Sequence, residues 1–277
     1  MAVKIVTDST SDLPEEIAKE LGVTVVPLSV FFGEQAYKDG VEITREQFFE
    51  RLTSGNDVHP HTSQPSAEDF VAVYKELIGQ GHEVVSVHVS DKMSGTMNSA
   101  RLAQAEMPDA KIELVDTGLA ALALGLVVKF TAEAANAGKS FDEVVAAAKE
   151  GAANTRCYFV PATLEFLQKG GRIGKASAII GGLLSIKPIL SVIEGEVHPF
   201  TKVRTESKAV AKLKEIATEG GPYAEVGIIH EGQSETAKAL MEHLKGLSDK
   251  PVVSGQIGAV VGVHTGPGVI GMALRKA

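Results

Sequence analysis

Tryptophan is absent from the 277-residue chain, aromatic residues make up only 5%, and the single cysteine is Cys157. The hydrophobic core must therefore be built mainly from aliphatic side chains, within a hydrophobic content of 44%. A single cysteine excludes an internal disulfide and any metal cluster held by several cysteines. It also favours a reducing, cytoplasmic setting.

Positive charge and long apolar runs are also scarce. The 27 Lys and Arg residues against 35 Asp and Glu give a formal net charge of −8. Because binding to nucleic acid depends on clustered Lys and Arg that neutralise phosphates, we expect no nucleic-acid partner. The most apolar stretch, residues 118–130, is too short to cross a bilayer. Residues 1–8 lack the pattern of a signal peptide, so we expect a cytoplasmic globular protein.

Short β-branched runs alternate with amphipathic segments along the first half of the chain. Residues 3–6 are interpreted as a buried strand and residues 23–30 as a second strand. Such alternation predicts a mostly parallel sheet with helices on both faces. A helix over residues 141–153 closes this half. We therefore predict an N-terminal α/β domain over 1–154 and a C-terminal α/β domain over 155–277.

The second half predicts a mixed sheet. Residues 186–193 and 197–203 fit the two strands of a hairpin, and strands and helices alternate after them. Residues 258–263 are interpreted as one more short strand. Residues 176–184 are apolar and small, and they fit either an ordinary core helix or the wall of an aliphatic ligand channel. The predicted fold class is therefore α/β in both halves.

Polar residues follow the predicted strands of the first half. The segment 8–14 (Asp-Ser-Thr-Ser-Asp-Leu-Pro) contains good helix N-caps, which explain most of its composition. Its hydroxyls could also line a site at the carboxyl end of the first strand. Residues 62–64 (Thr-Ser-Gln) precede a helix that Ser66 alone could cap. They are surplus polar groups, and a ligand role is an open alternative to a plain loop.

A turn with two hydroxyls, Ser94-Gly95-Thr96, follows the predicted strand over residues 83–89. Hydroxyls and a close-approaching backbone near a helix N-terminus suit an anionic group. A nucleophile elbow would need Gly two residues before Ser94, where the chain has Lys92. The turn therefore favours anion binding over covalent catalysis.

Two glycine-rich segments look like nucleotide-binding motifs, but neither fits. Residues 170–175 lack the first glycine of a P-loop and the hydroxyl that would ligate magnesium. Residues 266–271 match Gly-x-Gly-x-x-Gly, but too few residues follow them for the rest of a dinucleotide site. Arg172 and Arg204 lie near turns, as solvated charges or as anion contacts. His264 precedes a glycine-rich turn at which a ligand could approach closely.

Six segments together resemble the DegV family, a family of lipid-binding proteins of mainly Gram-positive bacteria. They are residues 8–14, 62–65, 94–96, 164–173, 185–190 and 264–268. The resemblance runs the whole chain and implies two α/β domains with a long-chain fatty acid buried between them. It also implies the fatty-acid-binding subunit of the bacterial fatty acid kinase, which belongs to phospholipid metabolism. In such a system the chain is not itself an enzyme, and a separate kinase subunit uses ATP to phosphorylate the bound carboxylate.

Carried over residue by residue, the resemblance implies that Thr62, Ser94 and His264 bind the carboxylate. It implies that Arg172 and Arg204 lie near the opening, where the kinase subunit and the transferred phosphate approach. No cofactor or metal is implied for this chain, and transient membrane contact is allowed. The residues leave one alternative open, a stand-alone serine-dependent lipid hydrolase or transferase using Ser94 and His264. That enzyme would need an orienting acid and an oxyanion hole.

Overall fold

The structure is a computed structural model that describes residues 2–55, 58–179, 186–232 and 234–277. Its strands are β1 (Val3–Asp8), β2 (Thr24–Val26), β3 (Ser29–Phe32), β4 (Gln35–Lys38), β5 (His61–Ser63), β6 (Glu83–His88), β7 (Ile112–Asp116), β8 (Thr155–Val160), β9 (Lys187–Ile193), β10 (Glu196–Val203), β11 (Glu225–His230), β12 (Val253–Gln256) and β13 (Ile270–Arg275). Its α-helices are α1 (Glu15–Leu21), α2 (Arg45–Thr53), α3 (Ala67–Gly79), α4 (Thr96–Ala105), α5 (Ala121–Asn136), α6 (Phe141–Asn154), α7 (Glu165–Lys169), α8 (Glu206–Gly220), α9 (Glu235–Leu244) and α10 (Ala259–Thr265). Within those ranges, every helix is too short or too polar to cross a membrane.

A four-stranded parallel sheet in the order β2-β1-β6-β7 forms the centre of the first half. Helices α3 and α4 pack on one face, and α5 and α6 pack on the other. Neighbouring residues such as Ile5 and Val6 therefore belong to different hydrophobic clusters, because strand side chains alternate between faces. The predicted parallel sheet with helices on both faces is confirmed.

A six-stranded mixed sheet in the order β10-β9-β8-β13-β11-β12 forms the second half. The β11–β12 pair is parallel and the other pairs are antiparallel. The predicted hairpin is present, with Val192 directly opposite Val197 across β9 and β10. Strand β13 lies inside this sheet, although it follows the glycine-rich turn at residues 266–268 and was not among the predicted strands.

The prediction of one strand over residues 23–30 is wrong. The segment forms β2 in the parallel sheet and β3 in a separate three-stranded antiparallel sheet, ordered β4-β3-β5. Pro27 stands between the two strands, and it has no N–H to donate to a continuous ladder. This small sheet brings β5 and its Thr62 against helix α10.

The prediction of a strand over residues 258–263 is also wrong, because residues 259–263 lie in helix α10 and Gly258 is its N-cap. The β-branched run Val260-Val261 favours a strand locally. The first N–H groups of the helix are instead satisfied from distant parts of the chain. The Asp12 carboxylate accepts from Gly258 N at 2.8 Å, and the Asp39 carboxylate accepts from Ala259 N at 3.1 Å.

Helix α5 lies between the two large sheets and packs against both. Its Leu122 is fully buried and faces two glycines of the mixed sheet. A Cβ on Gly227 would come within 2.5 Å of Leu122, and one on Gly255 within 2.8 Å. One hydrophobic cluster consequently spans both halves of the chain. Helix α6 ends and β8 begins at the proposed boundary between residues 154 and 155; the division into two domains stays a prediction.

The run over residues 176–184 is described only in part. A 3-10 helix covers Gly174–Ile179, while residues 180–185 lie outside the described residues. Residues 180–184 of the stretch predicted as a core helix or channel wall, and the first residue of the 185–190 segment, therefore lie outside the described residues. Residues 176–179 do not line the cavity described below.

Candidate functional site

A cavity of about 880 Å³, part of it open to solvent, is lined by both halves of the chain. Most of its walls are aliphatic. They include the side chains of Leu28, Val89, Val192, Val197, Ile229 and Val260. Cavities with apolar walls and a few polar groups are typical of small-molecule sites.

Strand alternation explains how the mixed sheet builds one wall. Cys157 and Phe159 are two residues apart on β8, so both face the cavity. Val192 and Val197 form a directly opposed pair on the hairpin and line it together. Burial raises the pKa of the Cys157 thiol to about 12. The thiol is therefore neutral at physiological pH and forms part of the apolar wall.

The polar part of the cavity centres on His264 and Thr62, which also line it. His264 Nε2 lies 3.0 Å from Thr62 Oγ1, although the two residues are far apart in the chain. Helix α10 supplies the histidine and β5 supplies the threonine. The structure therefore brings together two of the three residues predicted to bind a carboxylate.

The imidazole of His264 is neutral at physiological pH. Burial, and then the positive charges of Arg172 and His59, lower its pKa to about 4. A neutral ring has one N–H, and its Nδ1 has no hydrogen-bond partner among the described residues. If Nε2 carries the hydrogen and donates to Thr62, the Thr62 hydroxyl is left free to donate to a ligand.

Ser94, the third predicted residue, lines the same cavity from the turn before α4. Its Oγ lies 2.8 Å from Thr96 Oγ1 and accepts from Thr96 N at 3.3 Å. The N-cap residue of α4 is Gly95, which has no side chain, and Ser94 supplies the acceptor for the first N–H of the helix. Hydroxyls beside a helix N-terminus are the arrangement that the sequence predicted for an anionic group.

Ser94 and His264 do not form the pair that a hydrolase would need. His264 Nε2 is hydrogen-bonded to Thr62, and Ser94 is hydrogen-bonded to Thr96. Because Nδ1 of His264 lacks a partner within the described residues, no carboxylate orients the ring there. A Ser–His–acid triad requires a hydrogen bond between serine and histidine and another between histidine and a carboxylate.

The two predicted arginines occupy different places. Arg172 lines the cavity and is exposed, and its guanidinium bridges two loops. Its Nε donates to the carbonyl of Met93 at 3.0 Å, and its Nη1 donates to the carbonyl of Gly170 at 2.7 Å. Arg204 is exposed just after β10 and is not among the cavity-lining residues.

Thr10 also lines the cavity, as the alternative interpretation of segment 8–14 allowed. Its hydroxyl donates to the Asp8 carboxylate. The other oxygen of Asp8 accepts from Val89 N at 3.1 Å and lies 2.9 Å from His88 Nδ1. Since the Thr10 hydrogen is committed to Asp8, this hydroxyl has no hydrogen left to donate to a carboxylate ligand.

Comparisons with known proteins agree on one family. The model of the family described as "Uncharacterised protein, DegV family" matches residues 2–277. A DegV domain-containing protein of Streptomyces coelicolor is 40% identical, covering 99% of this chain and 98% of the relative. A DegV family protein of Thermus thermophilus, whose structure is described as showing fatty acid binding, is 38% identical with a TM-score of 0.93, covering 100% of both chains. A stearic-acid-binding protein of Eubacterium ventriosum is 30% identical with a TM-score of 0.88, covering 99% of this chain and 98% of the other. The chain belongs to the DegV family.

Proposed function

We propose that this chain binds a long-chain fatty acid in the cavity and presents its carboxylate to a separate kinase subunit, which uses ATP to form an acyl phosphate. The observation that carries the proposal is the composition of the cavity. Its walls are mainly aliphatic, and Thr62, Ser94 and His264 all line it. Described structures of the same family bind fatty acids, which supports this ligand class.

The acyl tail would supply most of the binding energy. Burying about 14 methylenes at roughly 0.8 kcal/mol each gives on the order of 11 kcal/mol before the costs of association. A hydrogen bond to a charged group contributes only about 1.5–3 kcal/mol. Affinity should therefore follow chain length, while the polar residues select for the acid and set its reactivity.

The head group would be held by neutral donors. The hydroxyls of Thr62 and Ser94 can donate to the carboxylate, and the neutral His264 ring orients Thr62. A carboxylate held by such neutral donors needs no buried ion pair. Its oxygen therefore stays available to attack the terminal phosphate of ATP.

We place the contact with the kinase subunit and the transferred phosphate near Arg172, which lines the cavity and is exposed. Cationic groups there would stabilise the charge that develops during phosphoryl transfer. Arg204 is proposed as a second contact on the outer surface. The proposal includes a cytoplasmic setting, transient membrane contact during loading, and delivery of the product to phospholipid metabolism.

Native mass spectrometry of the chain, purified without added lipid, tests the binding step. The expected result is a mass excess that organic solvent removes and that matches a long-chain fatty acid. Incubation with ATP and the kinase subunit of the same organism should then yield an acyl phosphate. A lipid-free protein that hydrolyses esters would contradict the proposal and favour the hydrolase, for which the Ser94 and His264 contacts give no support.

A further inference from the structure

Gln64 occupies a fixed place at the edge of the cavity. It directly follows β5, which carries Thr62, and it precedes the buried Pro65. Ser66 then opens α3 with a capping box that includes Asp69. Because the backbone is held on both sides, the Gln64 side chain starts from a defined position, and it lines the cavity.

The side-chain amide of Gln64 lies against the turn that carries Ser94. A Cβ built on Gly95 would lie 3.0 Å from Gln64 Nε2, 3.1 Å from Cδ and 3.4 Å from Oε1. All three amide atoms therefore approach the backbone between Ser94 and Thr96. Glycine at position 95 leaves room for this contact, since a Cβ there would require the amide to move by a few tenths of an ångström.

The side-chain amide of Gln64 has no hydrogen-bond partner within the part of the chain that the structure describes. Among the described residues, Gln64 is hydrogen-bonded through its main chain, where Ser63 Oγ donates to the Gln64 carbonyl at 3.2 Å. The side chain therefore retains two N–H donors and one carbonyl acceptor. It is exposed at the mouth, so water can solvate these groups when the site is empty.

A carboxylate at this place needs more donors than the hydroxyls supply. Its two oxygens offer about four lone-pair sites, whereas Thr62 and Ser94 can each donate only one hydrogen. Arg172 uses two of its five N–H donors, one on Nε and one on Nη1, for the carbonyls of Met93 and Gly170. The Gln64 amide is an uncommitted neutral donor beside Ser94.

We infer that Gln64 donates a hydrogen bond from Nε2 to the carboxylate of the bound fatty acid and is a specificity residue for acids over other lipids of the same length. This inference rests on the proposed function. A neutral amide donor stabilises an anionic head group. It stabilises the hydroxyl of an alcohol less, because that hydroxyl is uncharged. Gln64 should therefore separate affinity for the head group from affinity for the tail.

The variant Gln64→Glu tests this role, because it replaces the NH₂ donor by a carboxylate oxygen of nearly the same shape. Dissociation constants are measured at pH 7 with labelled hexadecanoate and 1-hexadecanol, which share one tail. We expect hexadecanoate affinity to fall about tenfold or more, with hexadecanol affinity changed by less than about threefold.

The exposed Gln35 on β4 lies outside the cavity lining and provides the control, since Gln35→Glu adds the same charge. Unchanged hexadecanoate affinity in Gln64→Glu would overturn the inference. An equal loss for acid and alcohol would also overturn it, because it would mean that Gln64 only supports packing. If the parent protein binds neither probe, the proposed function itself fails. A parent that binds hexadecanoate while the variant shows no acid-specific loss rejects the role of Gln64 alone.

Discussion

Gly170 packs directly against the ring of His264, so closely that a Cβ at position 170 would lie 2.1 Å from Nδ1. On the other edge of the ring, Nε2 is hydrogen-bonded to Thr62. The glycine therefore fixes where Nε2 points, and through it the orientation of the Thr62 hydroxyl. Gly170, which has no side chain, thus helps to set the positions of the polar groups in the cavity.

Replacing Gly170 by alanine should displace the ring and break its bond to Thr62. Overpacking of this kind costs about 1–3 kcal/mol, so thermal unfolding should shift to lower temperature. Hexadecanoate affinity should fall about tenfold, measured by titration. Gly79→Ala is the matched control, because a Cβ at Gly79 meets nothing within 4 Å. Equal affinities for Gly170→Ala and the parent would show that the His264 position is unimportant for binding.

Ser94→Ala should separate lipid retention from reaction. Loss of one hydroxyl should weaken hexadecanoate binding about tenfold, while the buried tail keeps lipid bound through purification. Acyl phosphate formation with the kinase subunit should fall much further, because the carboxylate loses its orientation for attack. Lipid content is read by native mass spectrometry and product by trapping with hydroxylamine. Unchanged formation of acyl phosphate would show that Ser94 does not orient the carboxylate.

The neutral state of His264 predicts a defined dependence of stability on pH. Its folded pKa of about 4 lies below the ordinary 6.5, so between these values the unfolded chain binds more protons than the folded chain. The free energy of unfolding should therefore fall as the pH drops from about 7 towards 4. In His264→Gln this fall should be smaller, as measured by urea denaturation across the range. Identical slopes for the two proteins would contradict a buried, neutral ring.

For Asp12 we expect the opposite dependence of the free energy of unfolding on pH. Burial raises its pKa well above the ordinary 3.8, against the opposing effect of Arg45, and Asp39 adds further repulsion. The contribution of Asp12 to the free energy of unfolding is therefore fully present below pH 3.8 and is lost as the pH rises through the raised pKa, because the folded state must then hold a buried charge. Asp12→Asn keeps the acceptor for Gly258 N and should flatten this decline in urea denaturation. The exposed Asp109→Asn serves as a control and should leave the decline unchanged.

Much of the fold could be predicted from local signals. The capping boxes that begin at Thr44 and Ser66 mark the starts of α2 and α3, and the hairpin of β9 and β10 follows from its alternation and turn. Helix α10 could not be predicted in this way, because its N-terminus is capped by Asp12 and Asp39, more than 200 residues away. Long-range capping leaves no pattern near the residues that it stabilises.

The candidate site divides in the same manner. Thr62, Ser94, Arg172 and His264 line the cavity and were identified from motifs. The aliphatic wall was not, because its residues come from strands of both halves and look like ordinary core residues in sequence. Strand alternation predicts that Cys157 and Phe159 face the same side of β8. No local pattern indicates that a cavity lies on that side.

The position of helix α5 between the two large sheets determines how the protein unfolds. Its Leu122 contacts the mixed sheet, and Lys129 bonds the fully buried Glu225 at 2.5 Å, while its other side covers the parallel sheet. Melting either sheet alone would strip α5 of half its contacts, and melting the mixed sheet would also separate Glu225 on β11 from Lys129. Heating should therefore give one cooperative transition, with no stage at which one half survives and the lipid cavity stays half-formed.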